Sequence, residues 1–166
     1  MINKIFSVFL ISITAISMAQ AQNRPDMFDW KPLSEAMELA EQNDKKVLVY
    51  ANAVWCTYCK KMEKEVFTQE AVQQKTKEHF YSVWMDIESD EKLTFRDQEM
   101  TQIQFSRAMR ITGTPTFIFF DSEGEIIAGQ PGFIPEEMYL QILEFVGSDA
   151  YLDQSFGEFA GVEAEN

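Results

Sequence analysis

The chain has 166 residues, about one domain's worth, and its 46% hydrophobic and 13% aromatic content can build a core without a metal or several disulfides. With 27 acidic residues against 14 basic ones the net charge is −13. That argues against a sequence-independent nucleic-acid binder and against docking on anionic lipid, since both need clustered Lys and Arg.

Residues 1–21 read as an export signal. Lys4 supplies the positive start and residues 5–16 the apolar stretch. Ala19-Gln20-Ala21 fits the small-x-small cleavage pattern, leaving Gln22 as the new N-terminus. The stretch is short for a membrane span, which takes about 20 apolar residues. No cysteine lies beside the cleavage site to carry a lipid. Residues 22–166 are then one domain, with its core at about 33–147.

Residues 22–32, with Asn23, Pro25, Asp26 and Pro32, form a lead-in. Leu33, Met37 and Ala40 share a helical face, with Ser34 placed to cap its start and residues 43–46 to end it. Residues 47–53 are an apolar run that suits a buried strand. Directly after it stands Trp55-Cys56-Thr57-Tyr58-Cys59-Lys60. Cys59, Met62 and Val66 then fall on one helical face. A second helical piece begins near Thr68 and turns Val72 and Phe80 inward, and residues 80–87 form the next strand. Residues 88–99 are mostly polar and acidic, and predict a surface loop running into a helix with Met100, Ile103 and Met109 on the core.

Residues 116–120 are a strongly apolar strand. Asp121-Ser122-Glu123-Gly124 is a hairpin signal, with Gly available for a positive φ, and residues 125–128 return. A long helix begins at Pro135, with Glu136 and Glu137 suited to its N-terminal dipole and Tyr139, Ile142, Leu143 and Val146 as its buried stripe. The tail keeps Tyr151, Phe156 and Phe159 and predicts a short extra element. The order β-α-β-α-β-β-α after a leading helix implies a mixed sheet flanked by helices.

The chain has only two cysteines, three apart. A stapled secreted fold uses four or more, and a bridge across so short a span constrains the unfolded chain little. Chemistry therefore explains the pair better than stability does. A zinc site needs about four ligands; the chain adds only one distant histidine, His79, which reads as a surface or capping residue. Two thiolates alone could still hold a soft ion such as Cu(I).

A cysteine where a strand passes into a helix meets outward-pointing backbone N–H groups, which favour the thiolate. Cys56 takes that place. Its thiolate attacks a partner's disulfide; Cys59, one turn further in and expected to be less exposed, then attacks Cys56 and releases the partner reduced. Lys60 and Lys61 either add positive potential or are simply solvated.

These residues resemble the thioredoxin superfamily. The Trp55-Cys56-x-x-Cys59-Lys60 motif after an apolar strand, Gly113-Thr114-Pro115-Thr116 before a later one, residues 117–121 with Gly124, and Gly132 before the last helix carry the likeness over about residues 33–147. The resemblance implies an α/β thioredoxin fold: a central mixed β-sheet flanked by helices, here with an N-terminal extra helix and a short C-terminal extension. It implies that Pro115 is the family's cis-proline, and that Trp55, Thr114 and Pro115 frame the reactive sulfur and bind substrate. It implies no cofactor and no metal. Within the superfamily the chain is similar to exported proteins of periplasmic sulfur and cytochrome chemistry, through the long segment between Asp86 and Gly113, the Pro131-Gly132-Phe133 stretch and the aromatic tail around Phe156 and Phe159. Two departures stand out. Thioredoxins carry a buried Asp where this chain has Tyr50, for which Asn52 or a water are the candidate replacements, and Thr57-Tyr58 replaces the Gly-Pro pair of reducing thioredoxins.

The leading expectation is an enzyme, a thiol–disulfide oxidoreductase reducing disulfides of exported proteins through a Cys56/Cys59 cycle. Alternatives are a disulfide oxidase or isomerase, or a non-enzymatic copper-binding or protein-binding module. An exported reductase implies a membrane thiol electron donor as partner. The protein is expected to be a periplasmic or otherwise exported monomer, soluble after signal cleavage.

Overall fold

The computed structural model describes residues 24–161; the export signal expected at 1–21 lies outside them. In chain order the elements are α1 (Leu33–Asn43), β1 (Lys46–Asn52), α2 (Thr57–Lys61) continuing as a π-helical turn (Met62–Val66), α3 (Glu70–His79), β2 (Phe80–Asp86), β3 (Lys92–Phe95), β4 (Gln98–Thr101), α4 (Gln102–Ala108), β5 (Thr116–Phe120), β6 (Ile126–Pro131), α5 (Glu136–Gly147), a 3-10 turn (Ala150–Leu152) and α6 (Phe156–Phe159).

The main sheet has the order β2-β1-β5-β6. β1 pairs parallel with β2 and antiparallel with β5, which pairs antiparallel with β6. The sheet is therefore mixed and helix-flanked, as a thioredoxin fold is. β1 and β5 are central and buried along their whole length, which is why residues 47–51 and 117–120 are unbroken apolar runs. Their side chains alternate between two cores. Leu48, Tyr50, Phe117 and Phe119 meet Met62, Val72, Tyr139 and Leu143, from the α2 segment, α3 and α5. Val47, Val49, Ile118 and Phe120 meet Leu33, Ala36 and Ala40 of α1 and Phe105 of α4.

The lead-in covers the β2 edge. Trp30 bridges to Ser82, and the Lys31 amide donates to the Ser82 carbonyl at 2.8 Å. The Trp30 indole donates to the Pro25 carbonyl at 2.8 Å and lies against Tyr50, Trp84 and Phe28. At the other end, Phe156 and Phe159 of α6 pack on Phe145 of α5, giving the tail its short extra element.

Three details differ from the sequence reading. Residues 88–99 are not a plain loop: β3 and β4 form a hairpin, and Met100 lies on its second strand rather than in a helix. Its two turn residues, Arg96 and Asp97, both have positive φ (50° and 62°), a primed turn that usually announces itself by Asn-Gly or Asp-Gly. Leu93, Phe95 and Met100 are held because they cover the α1/α4 side of the core. Second, Ser34 does not cap α1; Pro32 occupies the N-cap and no side chain caps it. Third, Pro135 is the N-cap of α5 rather than its first helical residue.

Candidate active site

β1 ends at Asn52, and the chain turns through Ala53, whose carbonyl accepts from the Cys56 amide at 3.0 Å. Cys56 is the N-cap of α2. An N-cap atom faces backbone amides that have no partner within the helix. Accordingly the Cys59 N–H donates to Cys56 Sγ at 3.0 Å, a contact that would favour a thiolate there. The two cysteines form a disulfide, with Cα atoms 5.2 Å apart. The expected difference in exposure is absent in this oxidised form: Cys56 is 2% and Cys59 1% exposed. The reason is tertiary. Both sulfurs turn into the core that Ala53, Met62 and Ile134 complete.

Around the covered sulfurs stands an apolar rim. Val54, Trp55 and Tyr58 are 77%, 60% and 61% exposed, unusual for side chains of this size. The Tyr58 ring lies 6.3 Å from that of Phe133, and the Lys61 ammonium sits 4.3 Å over the Phe133 ring. This ties α2 to the segment that follows β6.

Thr114-Pro115 is a cis peptide. The β1–β5 register sets Ala51 opposite Thr116, so Thr114 and Pro115 lie at the same end of the sheet as Cys56. Pro115 is buried and Thr114 half-buried. The Pro115 carbonyl accepts from the Gly132 amide at 2.8 Å, whereas Thr114 Oγ1 is buried without a hydrogen-bond partner. Trp55, Cys56, Cys59, Thr114 and Pro115 are thus gathered at one sheet end by two strand termini distant in sequence.

Tyr50 fills the place where an acid was expected to act. It is fully buried in a box of Trp30, Phe67, Trp84 and Phe117. Its hydroxyl lies 3.3 Å from the Cys59 carbonyl and 3.2 Å from Glu63 Oε1. Burial drives its pKa far upward, with the Glu63 charge adding to the effect, so it stays protonated. Asn52 is not free to replace the acid: its amide donates to the Met85 carbonyl at 2.9 Å and holds β1 to β2. The acid present is Glu63, in the π-helical turn, which sequence reasoning did not single out. Burial raises its pKa, while the Tyr50 hydrogen bond and the Lys60 charge pull it down. Its only sequence signal was its place one helical turn after Cys59, on a stretch that also carries Glu65.

His79, at the end of α3, is packed beside Phe80 and lies outside this site. Among the described residues no group of three or more His, Cys, Asp or Glu is placed to hold a metal ion, and no helix is long and apolar enough to cross a membrane.

Comparison with known proteins agrees with this geometry. Residues 33–147 match the family model described as a thioredoxin-like domain. The chain is 30% identical over 128 residues to the thiol:disulfide interchange protein DsbD of Actinobacillus pleuropneumoniae, covering 75% of this chain and 20% of that protein. It is 25% identical over 107 residues to the disulfide bond reductase DsbH of Chlamydia pneumoniae, covering 64% of this chain and 63% of that one. The chain thus spans about a fifth of the length of the first relative and under two thirds of the second. Among solved structures, a thioredoxin-fold protein of Helicobacter pylori superposes with a TM-score of 0.65 at 24% identity, over 72% of this chain and 80% of that one, a likeness of fold.

Proposed function

This chain belongs to the family of thioredoxin-like domains, its paired cysteines make it a thiol–disulfide oxidoreductase, and on that footing we propose that it works in the reducing direction on exported proteins. The observation that carries the reading is the Cys56–Cys59 disulfide just after β1, at the start of α2 and flanked in the chain by the exposed Val54, Trp55 and Tyr58. A bridge between residues three apart constrains the unfolded chain little, so chemistry explains the pair better than stapling does.

In the reduced protein the Cys56 thiolate attacks one sulfur of a partner's disulfide, and the other leaves as a thiolate. Cys59 then attacks Cys56 Sγ, the internal disulfide forms, and the partner departs with both sulfurs reduced. Two electrons have passed to the partner, and a thiol donor must return them. Trp55, Thr114 and Pro115 are proposed to frame Cys56 and bind the partner's extended chain. The name of the Chlamydia pneumoniae relative, a disulfide bond reductase, supports the direction. A membrane thiol carrier is proposed as the donor, because an exported reductase must be resupplied with electrons. Residues 1–21 are proposed as the export signal, and N-terminal sequencing of the exported protein is expected to begin at Gln22.

The test is trapping with Cys59→Ser. The variant is expected to hold exported proteins as mixed disulfides on Cys56. A reduction potential near that of thioredoxin, about −270 mV, is expected for the pair; a value near about −120 mV would make it an oxidant and overturn the direction.

A further inference from the structure

We propose that the apolar groove between β6 and α5 docks an extended segment of a partner protein, one that carries apolar side chains beside Lys or Arg. The proposal rests on the exchange reaction proposed above and names the kind of partner whose disulfide reaches Cys56.

The charge of the chain is unevenly placed. Residues 1–110 hold 16 acidic and all 14 basic residues, whereas residues 111–166 hold 11 acidic residues and no Lys or Arg. Nearly the whole net charge therefore falls on the part of the chain that builds β5, β6, α5 and α6. Three of those acids find partners from elsewhere in the fold: Glu125 with Arg96, Glu144 with Lys75 and Asp149 with Lys46. Glu136, Glu137 and Asp153 are exposed and form no ion pair among the described residues. Such a surface draws in basic partners before contact and repels acidic ones.

Within that acidic part lies an apolar groove of about 340 Å³. Ala128 and Gly129 of β6, Met138, Ile142 and Phe145 of α5 and Phe156 of α6 line it. Met138 is 39% exposed, and Glu136 and Glu137 stand between it and Pro135, a further wall residue. One side of the groove is a free strand edge. The main sheet ends at β6, and residues 126–130 carry no charge to keep another strand away. An extended segment laid along β6 gains main-chain hydrogen bonds and places side chains in the groove.

The groove is joined to the reactive pair. Phe133 and Ile134 line one end of it. Ile134 also belongs to the core that covers both cysteines, and the Phe133 ring lies 6.3 Å from that of Tyr58. Lys61, over the Phe133 ring, is a cation at that end and is paired with Glu65 at 3.8 Å. A segment seated in the groove therefore leads toward the rim around Cys56. The same charge argues against a second copy as the occupant. Two β6 edges brought together would set two acidic surfaces without bases face to face, whereas a segment with Lys or Arg meets each with the opposite sign.

The test uses the full chain in its oxidised form, so that binding is read apart from exchange. A short fluorescent peptide of alternating Val and Lys, without cysteine, is expected to bind, and more weakly as salt rises. Its Val-Glu counterpart is expected not to bind. Met138→Lys, which sets a cation in the groove wall, and the pair Glu136→Lys with Glu137→Lys, which reverses the charge beside it, are each expected to weaken binding by about tenfold or more. In the reduced protein the same variants are expected to reduce hydroxyethyl disulfide, a small neutral disulfide with no segment to dock, at the wild-type rate. Equal binding of the two peptides, no binding of the Val-Lys peptide at millimolar concentration, or unchanged binding in the variants overturns the proposal. So does a wild-type dimer in sedimentation that Met138→Lys dissociates, which would make a second copy the occupant. A wild-type protein that binds the peptide but fails to reduce hydroxyethyl disulfide would instead refute the exchange reaction itself.

Discussion

Gly147 of α5 lies flat against His79 of α3: a Cβ at Gly147 would stand 2.5 Å from His79 Cγ and 2.8 Å from its Cβ. The Cβ is fixed to the α3 backbone and cannot swing away with a change of rotamer. Gly147→Ala gains about 1 kcal/mol of helix propensity but forces the two helices apart, which costs about 1–3 kcal/mol. Net destabilisation is expected, read as a lower urea midpoint. Adding His79→Ala to the variant is expected to recover most of the loss, and a failure to recover would refute the contact.

Glu63 gives stability a pH signature. Its folded pKa is raised above the ordinary 4.5, chiefly by burial. A carboxyl raised in this way supports folding fully below its unfolded value, and the support is lost as pH rises through the folded one. Glu63→Gln is therefore expected to be more stable than wild type at neutral pH, with the difference vanishing below about pH 4. Urea unfolding at the two pH values checks the sign.

The β3–β4 turn makes a backbone prediction. Asp97 sits at φ 62°, where Asp is tolerated and a β-branched residue is not. Asp97→Val is expected to cost about 1–2 kcal/mol, whereas Asp97→Gly is expected to stay within about 0.5 kcal/mol of wild type. Thermal melts of the two variants decide it.

Trp55 is 60% exposed, so Trp55→Ala is expected to leave stability within about 0.5 kcal/mol of wild type. If it anchors partners, insulin reduction is expected to fall by about tenfold, the scale of a single aromatic contact. An unchanged rate would remove Trp55 from the partner surface.

What the sequence disclosed followed how each feature is encoded. The β1 and β5 runs were legible because a strand buried on both faces has no polar positions to interrupt it. The cysteine pair was legible because its spacing and its place after β1 are both local. The β3–β4 hairpin was not, because Arg96-Asp97 adopts a glycine-like turn without glycine. Glu63 was hidden for another reason: its partner Tyr50 is thirteen residues away on a strand, and only the fold brings the two to 3.2 Å. The equal burial of Cys56 and Cys59 likewise depends on Ile134, far along the chain.

The Trp30–Ser82 bridge bears on where this domain can be cut. The family match begins at residue 33, just after that bridge, and ends at 147, before the Phe156 and Phe159 contacts. A fragment trimmed to those limits would leave the β2 edge open for pairing with a neighbouring molecule and remove one wall of the Tyr50 box. The segment by which its relatives are recognised thus leaves out contacts at both margins, and one of them walls the box around Tyr50, whose hydroxyl lies 3.3 Å from the Cys59 carbonyl.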